Sequence, residues 1–311
     1  MSVVTWEPGA PFLGEAVVTI GVFDGVHLGH QALISSACSE ARTSGSPCVA
    51  VTFDRDPDQV VTPENAAPQL LTVADKCRFL KRAGADTVLV IPFDVELALL
   101  APGIFVEHVL LQALRPRGVH VGADFRFGRY AEGNVATLSA EGARHGFSVC
   151  AHDLLTWEGA PITSTYIRSL VARGDVSLAA RLLGRDHRVT GSVVRGRGAG
   201  RRDLSVATAN LLPSEHAALP ADGVYAGWAL VDGTLHKAAL SVGVPPTFAG
   251  ARHQLEAHVL DFDEDLYGRS LTVGFTRRLR SQRRFSSLVE LSAAIKGDIE
   301  AARAIAPIGE L

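Results

Sequence analysis

The sequence has almost no excess of charge of either sign: 30 basic and 33 acidic side chains leave a net charge of −3. No overall field therefore draws the chain to nucleic acid or to an anionic membrane, and an anionic substrate must be held by a local site. Cysteine is scarce and scattered. Cys38, Cys48, Cys77 and Cys150 form no C-x-x-C pair, which predicts neither a disulfide framework nor a zinc site, only reduced core thiols. No unbroken apolar window reaches the length that spans a bilayer, and the residues after Met1 lack a basic region followed by an apolar stretch. A cytoplasmic protein with no membrane partner is expected. Repeats and low-complexity stretches are missing too.

What is present is ordinary core material, 47% hydrophobic residues in 311. That length exceeds the size at which one core stops growing, so two domains are expected. In the first half, β-branched runs at Ala16–Ile20, Cys48–Phe53, Thr87–Ile91, Gly118–Gly122 and Ser148–His152 alternate with helical patterns. The helices are expected near Gly29–Thr43, Thr72–Ala83, Pro102–Leu114 and Val135–His145. Strictly alternating strands and helices predict an α/β Rossmann-like domain, a parallel sheet with helices on both faces. Beyond about residue 185 the strands come without helices: Arg188–Val194, Gly223–Val231, Leu235–Ser241, Gln254–Asp261 and Ser270–Phe275. A helix at about Ser287–Ala304 closes the chain, which predicts a small antiparallel β-barrel with a C-terminal helix. The expected domains are 1–185 and 186–311.

Between the first strand and the first helix lies Gly21-Val22-Phe23-Asp24-Gly25-Val26-His27-Leu28-Gly29-His30. Glycines at 21, 25 and 29 let backbone approach a phosphate chain, and a helix N-terminus offers free N–H groups to an anion. His27 and His30, three residues apart, are placed to donate to the same anion. Adenylyl transfer needs charge neutralised on an α-phosphate and on departing pyrophosphate, not a covalent nucleophile, and imidazole donors suit it. In a parallel sheet this turn falls where ligands bind. The expected ATP contacts are Gly21, Phe23, Asp24, Gly25 and Gly29, with His27 and His30 catalytic. A second segment, Thr163-Ser164-Thr165 leading into a helix with Arg168 one turn on, is a phosphate clamp or a simple helix cap.

The first segment resembles the (H/T)-x-G-H signature of nucleotidyltransferases, and its longer form is similar to the start of bacterial bifunctional riboflavin kinase/FAD synthetase. Val121-Gly122-Ala123-Asp124-Phe125-Arg126-Phe127-Gly128 resembles that family's flavin and nucleotide loop, and Ile162–Arg168 resembles its S-S-T-x-I-R segment. The resemblance implies ATP and FMN as substrates, FAD as product and Mg²⁺ as cofactor. Ser164 and Thr165 would contact ATP, Arg168 would be catalytic, and Asp124, Phe125 and Phe127 would bind flavin. One departure stands out: the family's T-F-D-x-H-P is here Thr52-Phe53-Asp54-Arg55-Asp56-Pro57, which puts Asp56 at the expected flavin site.

In the second half Thr208-Ala209-Asn210 resembles the end of P-T-A-N, the riboflavin kinase signature. The resemblance implies that Thr208 and Asn210 hold Mg²⁺ and ATP phosphates. Glu256, alternating with apolar neighbours on a strand, falls where the family has the base that deprotonates riboflavin. Asp222–Gly227, Leu266-Tyr267-Gly268 and Pro246-Thr247-Phe248 match as well. The family's L-G-F-P-T-A-N is here Leu204-Ser205-Val206-Ala207-Thr208-Ala209-Asn210, and its N-I-G is Ser241-Val242-Gly243. The run Arg277-Arg278-Leu279-Arg280 with Arg283-Arg284-Phe285 has few aromatics beside it and reads as a solvated strand end, not a nucleic-acid surface.

The leading expectation is therefore FAD synthesis from FMN and ATP, coupled to phosphorylation of riboflavin. Two alternatives stay open on the sequence. One is an adenylyltransferase for a modified flavin or another phosphorylated acceptor. The other is a flavin-binding regulatory protein with an inactive kinase half. Small-molecule substrates and a monomer or weak homo-oligomer are expected.

Overall fold

A computed structural model describes residues 2–7, 14–195, 207–243 and 254–307. The chain divides into two compact units, Met1–Thr163 and Ser164–Leu311.

The first unit is built on a six-stranded sheet. Its strands are β1 (Ser2–Thr5), β2 (Ala16–Ile20), β3 (Cys48–Phe53), β4 (Thr87–Ile91), β5 (Pro116–Gly122) and β6 (Ser148–His152). They pair in parallel in the order β1-β4-β3-β2-β5-β6. β1 is absent from the sequence-based expectation; it adds an edge to β4. The central strands carry apolar side chains on both faces, as parallel strands covered on two sides must. Val18, Val49, Val51, Leu89 and Ile91 pack into one core cluster, and Val17, Ala50, Val88 and Val90 into another. The second core is closed by α1 (Leu28–Ser44), through Leu33, Ile34 and Ala37, and by α2 (Val73–Arg82), through Cys77, Phe79 and Leu80. Thr72 caps α2 by accepting from the Asp75 N–H at 3.1 Å. The helix expected at Pro102–Leu114 contains a π-helical stretch at Val106–Leu111. α3 (Val135–His145) forms as expected, capped by Asn134 and ended by Gly146. The strand order reverses at β2, with β3 on one side and β5 on the other. The turn after β2 therefore lies at the switch point where such sheets take ligands.

The second unit starts with α4 (Ser164–Arg173) and α5 (Val176–Leu183). These two helices group with the barrel strands after them, so the compact units part at Thr163, ahead of the expected division at 185. The physical reason is packing: Val176 of α5 belongs to the barrel core, and the Ser177 hydroxyl donates to the Thr276 carbonyl at 3.0 Å. The barrel comprises β7 (His187–Val194), β8 (Ala209–Pro213), β9 (Gly223–Val231), β10 (Thr234–Gly243), β11 (Gln254–Val259) and β12 (Ser270–Arg280). It closes in the order β8-β11-β10-β9-β12-β7. β8 carries the Thr208–Asn210 motif into the sheet and is a strand that the sequence pattern does not predict. α6 (Leu288–Arg303) completes the unit, capped by Ser287.

At the start of the barrel, the buried Asp186 carboxylate accepts from the Trp228 indole at 2.9 Å and from the Thr276 hydroxyl at 2.7 Å. His187 is fully buried, 2.8 Å from the Ala218 carbonyl. Burial pushes its imidazole down from 6.5 to about 4. Because the unfolded chain takes up this proton first, the stability is complete above pH 6.5 and drains away as pH falls towards 4. The loss is expected to approach roughly 3 kcal/mol in the barrel unit. Denaturant midpoints measured across that window should show the slope, and His187→Gln should flatten it. An unchanged slope in the variant would refute the assignment.

Candidate active sites

The turn after β2 is held in a conformation the chain would not choose freely. Phe23 and Val26 have φ of 54° and 39°, and Gly25 has φ of 80°. A positive φ at β-branched Val26 is costly, of order 1–3 kcal/mol, and persists only because its surroundings fix it. Those surroundings are specific. The Asp24 carboxylate, 3% exposed, accepts from the backbone N–H groups of Leu70 and Leu71 at 3.0–3.2 Å. The Val22 carbonyl accepts from the Thr52 hydroxyl at 3.0 Å and from the Lys76 ammonium at 3.1 Å. The Gln31 amide donates to the Val26 carbonyl at 2.8 Å. Asp24, expected as an ATP contact, shapes the turn through these bonds.

His27 is the N-cap of α1: its Nδ1 accepts from the His30 N–H at 3.3 Å. In the neutral ring that contact leaves the proton on Nε2, so His27 presents a donor. The His30 ring stacks on His27 with centroids 3.6 Å apart and meets the edge of Phe23 at 5.2 Å. Two imidazoles at a helix start are thereby fixed side by side, with Phe23 at the edge of His30 and Gly29 against His27. Gly29 has a steric duty: a Cβ there would lie 3.2 Å from the His27 ring. Gly29→Ala should displace that ring and lower adenylyl transfer by about tenfold to a hundredfold with the fold intact. Wild-type rates in a folded Gly29→Ala protein would contradict this.

Lys76 braces this turn and is a residue that the sequence does not single out. It sits on the buried face of α2 with Cys77, Phe79 and Leu80, 2% exposed, and its ammonium is 3.9 Å from the Asp56 carboxylate. Burial lowers its pKa from the usual lysine value, with Asp56 and Asp24 opposing the fall. The available signal was a lysine inside an apolar helix face. Asp56 is expected from the sequence as a flavin contact. At 4% exposure and facing Lys76, it ties its loop to α2.

The loop after β5 places the exposed Asp124 and half-buried Phe125 next to each other. Phe127 is 7% exposed, stacked on Phe125 at 5.4 Å and packed on Phe105 at 5.7 Å. It is a core residue that positions Phe125, whose ring is the more accessible of the two. Ser164, Thr165 and Arg168 lie in the second unit, on the first turns of α4, with Thr165 exposed and Arg168 half-buried.

The barrel assembles a second row of polar groups. Asn210 of β8 is the register partner of Glu256 on β11, and Glu256 is the partner of Ser241 on β10. Directly opposed residues share a sheet face, so the three side chains form one row. Their neighbours Leu211, Leu255, Ala257, Leu240 and Val242 fill the barrel core, so the row lies outside it. Burial pushes the Glu256 carboxyl above the ordinary carboxylate range, as a proton acceptor needs. Thr208 sits just before β8. Hydroxyl, amide oxygen and carboxylate are hard oxygen donors, a set that fits Mg²⁺. At position 241, where the resemblance leads one to expect asparagine, the Gln282 amide donates to the Ser241 hydroxyl at 2.9 Å and to the Val242 carbonyl at 3.2 Å. A side-chain amide thus stands beside Ser241, supplied by a residue distant in sequence. Ser205, Val206 and Pro246-Thr247-Phe248 lie outside the described residues.

The arginine-rich end of β12 is tied within its own unit. Arg280 forms a two-pronged ion pair with Asp298 at 2.8–3.1 Å, and Arg278 donates to the Asp222 carbonyl at 2.7 Å. The Arg283 guanidinium stacks over Phe285 at 4.7 Å.

Comparison with known proteins agrees with both halves. A family model described as FAD synthetase matches residues 10–166, and one described as riboflavin kinase matches residues 183–306. The bifunctional riboflavin kinase/FMN adenylyltransferase of Pseudomonas fluorescens is 39% identical over 291 residues, covering 93% of each chain. The Escherichia coli (strain K12) protein of the same name is 37% identical, covering 92% of this chain and 91% of its own. That of Bacillus subtilis (strain 168) is 31% identical, with coverage of 91% and 90%. Among solved structures, one described as a macrolide-efflux protein from Streptococcus pneumoniae superposes with a TM-score of 0.87 at 29% identity, over 98% of this chain and 99% of that one. Efflux belongs to that protein's description; among the described residues here, no helix is long and apolar enough to cross a membrane. The chain belongs to the bifunctional riboflavin kinase/FMN adenylyltransferase family.

Proposed function

We propose that the chain makes FAD in two steps: ATP-dependent phosphorylation of riboflavin to FMN, then transfer of AMP from ATP to FMN with release of pyrophosphate. The observation that carries the reading is the fixed His27–His30 pair at the start of α1, in a chain with a separate Asn210–Glu256 row. We assign adenylyl transfer to 1–185 and phosphorylation to 186–311. In the first step the ribityl hydroxyl oxygen attacks the γ-phosphorus of ATP. Glu256 takes the hydroxyl proton and ADP leaves. Thr208 and Asn210 would hold Mg²⁺, which when bound neutralises phosphate charge. In the second step an FMN phosphate oxygen attacks the α-phosphorus of ATP, and the bond to pyrophosphate breaks. The His27 Nε2–H and the His30 imidazole donate to phosphate oxygens as charge builds, while Gly21, Gly25 and Gly29 keep side chains out of the nucleotide's path. Ser164, Thr165 and Arg168 are proposed as further phosphate contacts, and Asp124 and Phe125 as flavin contacts. The proposal includes a cytoplasmic monomer or weak homo-oligomer without nucleic-acid partners.

The Asn210–Glu256–Ser241 row on one barrel face favours an active kinase over a module that only binds flavin. Product analysis after incubation with riboflavin, ATP and Mg²⁺ tests both halves. FMN and FAD together are expected. FAD from added FMN, but no product from riboflavin, would isolate the barrel as inactive, and no FAD from FMN would sink the reading of the first unit.

A further inference from the structure

On the α1-facing side of the first unit's sheet lies a cluster that neither proposed reaction uses. β5 and β6 run in parallel at the sheet edge, with His120 and Cys150 as register partners. His152 comes two residues after Cys150, so it projects from the same face. One ring nitrogen each of His120 and His152 and the Cys150 Sγ all lie within 4.8 Å of one another. His120 is 2% exposed, His152 is half-buried and Cys150 is exposed, so the cluster has a buried floor and an open mouth. Behind it, the Glu40 carboxylate of α1 lies 2.9 Å from His120 Nε2.

From this geometry we infer that His120, Cys150 and His152 form a binding site for a divalent d-block cation of the zinc class. The Glu40 contact makes Nε2 the protonated nitrogen of a neutral His120 ring. Nδ1 then points a lone pair at the cluster, in the carboxylate–histidine–metal arrangement that orients metal-bound imidazoles. Without a metal, that lone pair is satisfied by His152, whose Nε2 is 2.9 Å away. Zinc with bonds of about 2.0–2.3 Å separates its donors by roughly 3.3–3.6 Å, so the two rings need part by only a few tenths of an ångström. Two imidazoles and a thiolate select a borderline or soft ion over Mg²⁺, which distinguishes this site from the oxygen donors of the barrel. Three protein ligands leave a fourth position for water or an outside ligand. The sequence spacing hides the site, because His120 comes from the neighbouring strand.

The test uses the full chain, freed of metal with a chelator, and Zn²⁺ alone by calorimetry. Co²⁺ serves as the optical probe for a thiolate-to-metal absorption band. One ion per chain is expected, with that band. Cys150→Ser should abolish the band and weaken Zn²⁺ binding at least about tenfold, and His152→Ala should weaken it similarly. Both side chains are at least partly solvent-facing, and melting curves without metal check that the variants remain folded. Cys77→Ser, which alters a buried thiol elsewhere, should leave binding unchanged. Absence of saturable Zn²⁺ binding by the wild-type chain would overturn the inference. So would full affinity and an intact band in Cys150→Ser.

Discussion

Replacing His30 by alanine is expected to slow FAD formation from FMN and ATP by about 10²–10³, the loss that accompanies removal of one preorganised donor to developing oxyanion charge. Riboflavin phosphorylation should be unchanged. His30 is the cleaner of the two histidines to remove, because His27 also supports the fold by capping α1 through its Nδ1. His27→Ala should show a similar catalytic loss plus about 1 kcal/mol of destabilisation from the missing cap. His27→Asn should keep the cap through the amide oxygen and still lose activity, since no donor remains at the Nε2 position. Steady-state rates of pyrophosphate release beside thermal melts separate these effects. A His30→Ala protein that makes FAD within a few-fold of wild type would remove the pair from the mechanism.

The second large effect is expected at Glu256. Glu256→Gln preserves the shape of the row but cannot accept the ribityl proton, so phosphorylation should fall by about 10²–10⁴. FAD formation from supplied FMN should continue at the wild-type rate. That split is informative because Glu256 is half-buried among Asn210 and Ser241. A merely structural role would lower stability and leave the turnover of folded enzyme unchanged. Glu256→Asp, which retains a carboxylate one methylene shorter, should recover part of the rate. Equal kinase rates in wild type and Glu256→Gln would exclude the residue as base.

How far the sequence revealed this molecule differed between the halves for physical reasons. Central strands β2, β3 and β4 are continuous β-branched runs flanked by turn signals, and all three fall at the expected residues. β1 and β8 did not announce themselves. One is a four-residue edge, and the other takes its strand character from pairing with residues distant in the chain. The close pairing of His27 and His30 was legible because both lie within ten consecutive residues at a helix start. Lys76, Gln282 and the His120–Cys150–His152 cluster were not, since each acts on a partner brought close only by the fold. Asp24 and Phe127 stand in recognisable motifs, but their structural contacts, with the Leu70 N–H and the Phe105 ring, were not legible there.

The closing of the barrel has a consequence for how the protein is made. β7, its first strand, pairs with β12, so Ser192 must find Ser270 before the ring is complete. The first unit's sheet needs nothing after His152 to pair its strands. During synthesis from the N-terminus, that sheet can assemble while the barrel's last strand is still inside the ribosome. The barrel must wait as open ribbons with unpaired edges. Its long-range strand pairing also makes it the slower unit to fold. A ribosome that stalls before Arg280 would thus release a chain with the sheet and turn of its first unit in place and its barrel strands exposed to aggregation.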